Sequence, residues 1–118
     1  MVDKITEASL RNDFYGQLLT EKQQQIMAFY HEENLSLAEI AEELGISRQA
    51  VHDALKKAER ALAIYEQKLG LVEKFVNTNS AIAQIDKSID EIIKINNENK
   101  ELTKKLEDIK TIINELED

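Results

Sequence analysis

The stretch Ser36–Leu62, SLAEIAEELGISRQAVHDALKKAERAL, reads as two helices joined by one tight turn. Ser36 is placed to cap the first helix. Glu39, three residues on, completes a capping box in which each side chain meets the other residue's backbone N–H. Leu37, Ile40, Ala41 and Leu44 then recur at helical spacing. Gly45 follows, where a helix commonly ends in a left-handed residue that glycine adopts at no steric cost. Ile46 turns back toward the helix, and Ser47 is the next N-cap. The second helix is expected to bury Val51, Ala54, Leu55, Ala58 and Leu62, and to show water Arg48, Gln49, His52, Asp53, Lys56, Lys57 and Arg60. Ala41, four residues before the glycine, is small enough for the two helices to cross closely, and Val51, six residues after it, is placed to pack beneath the turn. Caps, turn and core agree on a helix-turn-helix.

Around this stretch the composition bounds the rest. At 118 residues the chain supports one compact domain plus an extension. It has no cysteine, which excludes disulfides and thiolate metal sites. No basic and apolar cleavable start and no apolar run near the length of a membrane span is present, so a cytoplasmic protein with no membrane partner is expected. Proline is absent, glycine occurs only at 16, 45 and 70, and Leu, Ile, Ala, Glu and Lys abound, so the fold class is all-α. The net charge is −8. Residues 1–70 hold 12 acids and 8 Lys or Arg, residues 71–118 hold 11 and 7, so neither part is basic. The whole-chain electrostatic footprint of a nucleic-acid binder is missing. From Ser47 to Arg60, however, four bases stand against Asp53 and Glu59, a weakly positive helix on an acidic chain.

Upstream, residues 1–7 carry little pattern. From Ala8, the residues Leu10, Phe14 and Leu18, with Tyr15 beside them, make the apolar face of a first helix, and Gly16 inside it is expected to permit a close helix contact. Thr20 opens a second helix with Gln23 as its capping-box partner, and Ile26, Met27, Phe29 and Tyr30 line its core face. His31 to Asn34 then link to Ser36.

These residues carry a resemblance. LLTEKQQQIMAFYHEENLSLAEIAEELGISRQAVHDALKKAERAL resembles region 4 of a bacterial sigma factor, with a leading helix, an acidic linker and a helix-turn-helix. The longer stretch Asp13 to Leu69 is similar to the YlxM family of small bacterial proteins, through DFYGQLLT (13–20), SLAEIAEE (36–43), SRQAVHDALKKAE (47–59) and YEQKL (65–69). It does not extend beyond Gly70. The resemblance implies a DNA-binding regulator encoded beside the genes of the signal recognition particle and acting in that secretion pathway. Nothing in the residue spacing shows such a role.

The reading face can be described without the family. A helix fits the DNA major groove, its N-terminal residues reaching base edges while longer cations hold phosphates. Arg48, Gln49 and His52 stand at the entering end, where Arg48 matches guanine and Gln49 matches adenine; Lys56, Lys57 and Arg60 lie further along and match phosphates. Asp53 is awkward there unless it accepts from cytosine or orients Arg48 or Lys57. A cation in the first helical turn opposes the positive end of the helix dipole. Arg48 therefore either meets a phosphate, a base or a partner's carboxylate, or is solvated, or pairs with Glu42 or Glu43; the residues leave these open. A solvated face is the alternative account of Lys56, Lys57 and Arg60.

The helix from Ser47 continues through Leu62, Ile64, Tyr65 and Leu69 to Gly70, a span of about 33 Å, with Gly70 and Leu71 as its C-terminal cap. Val72, Phe75 and Val76 suggest a further short apolar turn, and Asn77 to Ser80 break the pattern. The boundary falls at 70, giving a helix-turn-helix domain over 1–70 and a helical extension over 71–118. In residues 80–117 a seam of Ile82, Ile85, Ile89, Ile92, Asn96, Asn99, Leu102, Leu106, Ile109, Ile113 and Leu116 recurs at spacings of three and four, with a slip near Asn99. It predicts a long C-terminal helix of about 57 Å, coiled-coil-like, with asparagines setting register. Such a helix needs a partner. A homodimer through this segment is preferred over folding back on the first domain.

For catalysis the sequence offers little. His31 and His52 are far apart with no metal spacing, no glycine-rich phosphate loop or nucleophile motif occurs, and the acids fall at pairing distance from lysines, as Asp90 does from Lys94. A non-enzyme with no cofactor is expected. Two functional classes remain. One is a DNA-binding regulator. The other is an adaptor in which the same helix and the tail meet signal recognition particle protein or RNA, or RNA polymerase in the manner of a sigma region 4 domain.

Overall fold

A computed structural model describes residues 4–117, and six α-helices account for nearly all of them. They are α1 (Lys4–Tyr15), α2 (Glu21–Met27), α3 (Leu37–Leu44), α4 (Arg48–Leu69), α5 (Leu71–Ile95) and α6 (Lys100–Glu117). No strand occurs among the described residues, and none of their helices is long and apolar enough to cross a membrane. The chain divides into two compact units, residues 1–72 and residues 73–118.

In the first unit the helix boundaries follow local side-chain chemistry. Thr20 Oγ1 accepts from the Gln23 N–H and Gln23 Oε1 accepts from the Thr20 N–H, and Ser36 and Glu39 repeat the arrangement at the start of α3. Both capping boxes form as expected. Between them, α2 continues as one wider π-helical turn, Ala28–Glu32, and the link closes with Asn34 at φ +55°. The core is made of Tyr15, Leu19, Ile26, Met27, Ile40, Ala41, Val51, Leu55, Ala58, Leu62 and Val72, drawn from every helix of the unit. Apolar side chains of this size, at about 25 cal/mol per Å², supply the main driving force. Tyr30 is 39% exposed and Phe29 is half-buried, so the end of α2 reaches the rim of the core.

The first helix departs from expectation in its phase. Tyr15 (1% exposed) and Leu19 (6%) are buried, while Phe14 (39%) and Leu18 (57%) face outward. Tyr15, the last residue of α1, has its ring 6.0 Å from that of Tyr65 on α4 and its hydroxyl hydrogen-bonded to Glu66, so it takes the buried side in place of Phe14, and a 3₁₀ turn, Gly16–Leu18, follows. Gly16 serves no helix–helix approach. An added Cβ there would meet the Asn12 side chain at 2.8 Å, a neighbour one turn earlier in the same segment. Helix α1 also begins at Lys4, within the stretch that shows little pattern, and residues 1–3 lie outside the described residues.

Burying Tyr15 brings its hydroxyl to a polar cluster. Tyr15 Oη donates to Glu66 Oε1 at 2.6 Å and accepts from the Leu71 N–H at 3.0 Å, and the Val72 N–H donates to the same Glu66 oxygen at 2.9 Å. Gly70, left-handed at φ +62°, ends α4 beside it. Two side chains thus satisfy the first two N–H groups of α5, which no intrahelical carbonyl can reach. Burial, then the Glu66 carboxylate, push the Tyr15 hydroxyl above its ordinary pKa.

The second unit corrects the expected single helix. Helix α5 runs without interruption from 71 to 95, so Asn77 to Ser80 do not break it, and Val72 to Val76 belong to it. The break comes at Asn96–Asn99, where Asn99 Oδ1 accepts from the Leu102 N–H and so caps α6. Asn96 and Asn99 are exposed rather than buried in a seam. The extension is therefore a helical hairpin. Lys110 of α6 pairs with Asp90 and lies 3.5 Å from Asp86, both on α5, so Asp90 is engaged across the turn and not by Lys94. Ile89 is 6% exposed at its centre, with Ile82, Ile93, Leu102, Leu106 and Ile113 half-buried around it.

Two outcomes are expected. Tyr15→Phe keeps the packed ring and removes the hydroxyl that joins Glu66 to Leu71, so the thermal midpoint should fall by several degrees, whereas Tyr30→Phe should leave it nearly unchanged. Equal midpoints for both variants in a calorimetric scan would contradict the cluster. The Ser36 backbone N–H, then its hydroxyl, hold the Glu39 carboxyl below its ordinary 4.5. A lowered folded-state pKa gives stability that is complete above the unfolded value and lost as pH falls through the folded one. Glu39→Gln, which keeps an acceptor for Ser36, should therefore flatten the fall in thermal midpoint between about pH 5 and about pH 3.

Candidate nucleic-acid interface

The direction in which α4 presents its exposed face depends on how α3 ends. Gly45 lies at φ +67°, ψ +33°; the Ile46 N–H reaches back to the Ala41 carbonyl at 3.0 Å and the Gly45 N–H to the Glu42 carbonyl at 3.4 Å. This paired closure consumes two of the carbonyls left over at a helix end and reverses the chain within two residues. Ser47 then accepts from the Ala50 N–H through its hydroxyl at 3.0 Å, and α4 starts at Arg48. Beneath the turn Ile40 and Val51 are fully buried, with Ala41 and Leu55 beside them. The small Ala41 permits that approach, so the angle between α3 and α4 is held by close packing on one side and by the backbone closure on the other.

With that face buried, the opposite face of α4 is open. Arg48, Gln49, His52, Lys56, Lys57 and Arg60 are all exposed. They cover a little over three turns, about 18 Å along the axis. Asp53, exposed among them, does not orient Arg48 or Lys57. Its Oδ1 accepts from Gln49 Nε2 at 2.9 Å, and His52 Nδ1 lies 3.6 Å from the same oxygen. Gln49 is thereby held with its carbonyl oxygen and second N–H unused, the pair that an adenine edge requires. Arg48 pairs with no carboxylate of Glu42 or Glu43 among the described residues. At the first position of α4, with no acidic residue in that turn, it stands against the helix dipole.

The remaining polar features lie elsewhere. A cleft of about 360 Å³ is lined by Glu7, Ala8, Arg11, Met27, Glu59 and Leu62, which includes none of the six exposed residues above. His31, at the π-helical turn, packs edge-on against Tyr30 with ring centroids 5.1 Å apart, and its buried Nε2 has no hydrogen-bond partner among the described residues. Among those residues no group of three His, Asp or Glu is gathered as a metal ion needs. Sequence reasoning located the six exposed residues but not the Tyr15–Glu66 cluster. The two segments that carry it, DFYGQLLT and YEQKL, stand out as motifs without any sign that they meet.

Comparison with known proteins agrees with this geometry. A family model described as "UPF0122: Putative helix-turn-helix protein, YlxM / p13 like" matches residues 2–118. A UPF0122 protein of Desulforamulus reducens is 50% identical over 82 residues, 70% of each chain. One from Shouchella clausii is 47% identical over 89 residues, 75% of this chain and 82% of the relative. One from Bacillus cereus strain AH187 is 41% identical over 107 residues, 91% of this chain and 97% of the relative. The matches run past Gly70, so the likeness includes the hairpin as well as the helix-turn-helix. With a helix-turn-helix formed at Gly45 and a family match along nearly its whole length, the chain belongs to the UPF0122 family of YlxM- and p13-like proteins.

Proposed function

We propose that this protein is a regulatory nucleic-acid-binding protein that acts as a homodimer in the cytoplasm, without enzymatic activity, and reads its target through the start of α4. The observation that carries this reading is the row of six exposed side chains on a helix whose other face buries Val51, Leu55, Ala58 and Leu62 in the core. Arg48 and Gln49 meet base edges, with Gln49 held by Asp53, and His52 sits next to them; Lys56, Lys57 and Arg60 hold phosphates. The resemblance to YlxM proteins supports a place in the signal recognition particle pathway, and the sigma region 4 pattern supports the docking mode. On this account 1–70 is the recognition domain and 71–118 joins two copies.

A second reading has its own support. The chain carries −8 overall, and Asp53 sits in the middle of the face. Both oppose non-specific attraction to duplex DNA. An adaptor would use the same α4 face and the C-terminal unit to bind signal recognition particle protein or RNA, or RNA polymerase.

A salt titration separates them. If α4 holds about three phosphates, the logarithm of the affinity for duplex DNA should fall with the logarithm of salt at a slope of about −3. Lys56→Ala with Arg60→Ala should bring the slope to about −1 while helical circular dichroism stays unchanged. No binding of duplex DNA at about 50 mM salt, with retained capture of signal recognition particle components, would overturn the DNA reading in favour of the adaptor.

A further inference from the structure

The hairpin of α5 and α6 carries more apolar surface than it buries. Its internal seam uses Ile82, Asp86, Ile89 and Ile93 on α5 and Thr103, Leu106, Lys110 and Ile113 on α6, and among the described residues of 73–118 Ile89, 6% exposed, is the one buried side chain. A second seam lies beside the first on each helix. On α5 it is Ala81, Ile85, Ser88, Ile92 and Ile95, at spacings of four, three, four and three. On α6 it is Leu102, Lys105, Ile109, Ile112 and Leu116, at spacings of three, four, three and four. Ile85, Ile92, Ile95, Ile109, Ile112 and Leu116 are 41–79% exposed. At 100° per residue, and with the helices antiparallel, the two extra seams fall on one side of the hairpin, while the Lys110 pairing with Asp86 and Asp90 lies on the other. The hairpin is therefore amphipathic as a unit, with one polar and one apolar side.

Such doubling is what a helix needs to touch two neighbours at once, as in a four-helix bundle. We propose that a second copy of this hairpin covers the apolar side, so that two chains join in an antiparallel four-helix bundle. This names the interface of the homodimer in the proposed function and rests on that reading.

Three observations select a second copy as the occupant. The α5 seam has no charge, and the α6 seam has only Lys105, although residues 71–118 hold 18 charged side chains in all. A strongly acidic or basic partner finds nothing to pair with there, whereas a two-fold related copy sets uncharged surface on itself. The α5 seam also alternates small Ala81 and Ser88 with large Ile85 and Ile92, and a matching helix can interdigitate knobs into those gaps. Finally, the 18 residues of α6 give a patch about 27 Å long and, across two helices, about 20 Å wide. That footprint of about 540 Å² sits near the lower bound for a stable pair, so the dimer is expected to dissociate in the micromolar range.

The chain has no cysteine, which makes a single introduced one a clean reporter. Sedimentation velocity of the full chain between about 1 and about 200 µM should show a monomer–dimer equilibrium. Ile92→Glu, at a half-exposed position the hairpin tolerates, should raise the dissociation constant at least about tenfold with unchanged helical circular dichroism. Under oxidation Ser88→Cys should form a linked dimer, and Ala83→Cys, exposed on the opposite face of α5, should not. A wild-type monomer at the highest concentration would overturn both the homodimer and this interface. A dimer indifferent to Ile92→Glu and unlinked by Ser88→Cys would leave the homodimer standing and refute the four-helix bundle alone.

Discussion

The hydrogen bond from the Ile46 N–H to the Ala41 carbonyl, closed under a left-handed Gly45, is the constraint on which the rest depends. It ends α3 while the chain is still against the core and leaves two residues in which to begin again. Ser47 captures the new N-terminus, and Val51 and Leu55 lock α4 against Ile40 and Ala41. Once those four are buried, the orientation of α4 is no longer free. Arg48, Gln49, His52, Lys56, Lys57 and Arg60 must face water because the helix has a fixed period and its other side is taken.

Helix α4 then has two ends with different tasks. From Arg48 to Arg60 it presents cations and amides outward. Its last turn holds Glu66, which joins Tyr15 to the first N–H groups of α5. A carboxylate and a phenol so placed satisfy backbone donors that would otherwise be left without partners in a part-buried site. Two of the four motifs that carry the family resemblance, DFYGQLLT and YEQKL, supply that cluster and not the exposed face. Their shared business is structural, and the exposed face is left to SRQAVHDALKKAE.

The helix-turn-helix was legible because its signals are local. A serine followed three residues later by a glutamate, or a glycine after an apolar repeat, acts through hydrogen bonds within one turn, and Ser36, Glu39, Gly45 and Ser47 all behave as their spacing implies. The phase of α1 was not legible, since Phe14 and Tyr15 are adjacent aromatics and what selects Tyr15 for burial, the Glu66 carboxylate 51 residues away, leaves no local sign. In the C-terminal unit the helical extension was legible but the place of its break was not, for a different reason. An asparagine at a seam position can fix a coiled-coil register or cap a helix, and isoleucines every three or four residues fit a straight helix and a folded one alike. Asn99 caps. At the candidate site the exposed set followed from amphipathy, but the partner of Asp53 did not. Gln49, His52, Lys56 and Lys57 all lie within four residues of it, and side-chain geometry selects Gln49 and His52.

Replacing Gly45 by alanine tests the central claim by the sign of its effect. An added Cβ meets nothing within 4 Å, so the substitution introduces no clash and reports only the backbone conformation. At φ +67° an L-residue is strained, and denaturant unfolding of Gly45→Ala should show a loss of about 1–2 kcal/mol. A glycine lying inside a continuous helix would instead gain about 1 kcal/mol on becoming alanine. A stabilised variant would therefore contradict the turn, and with it the outward face of α4.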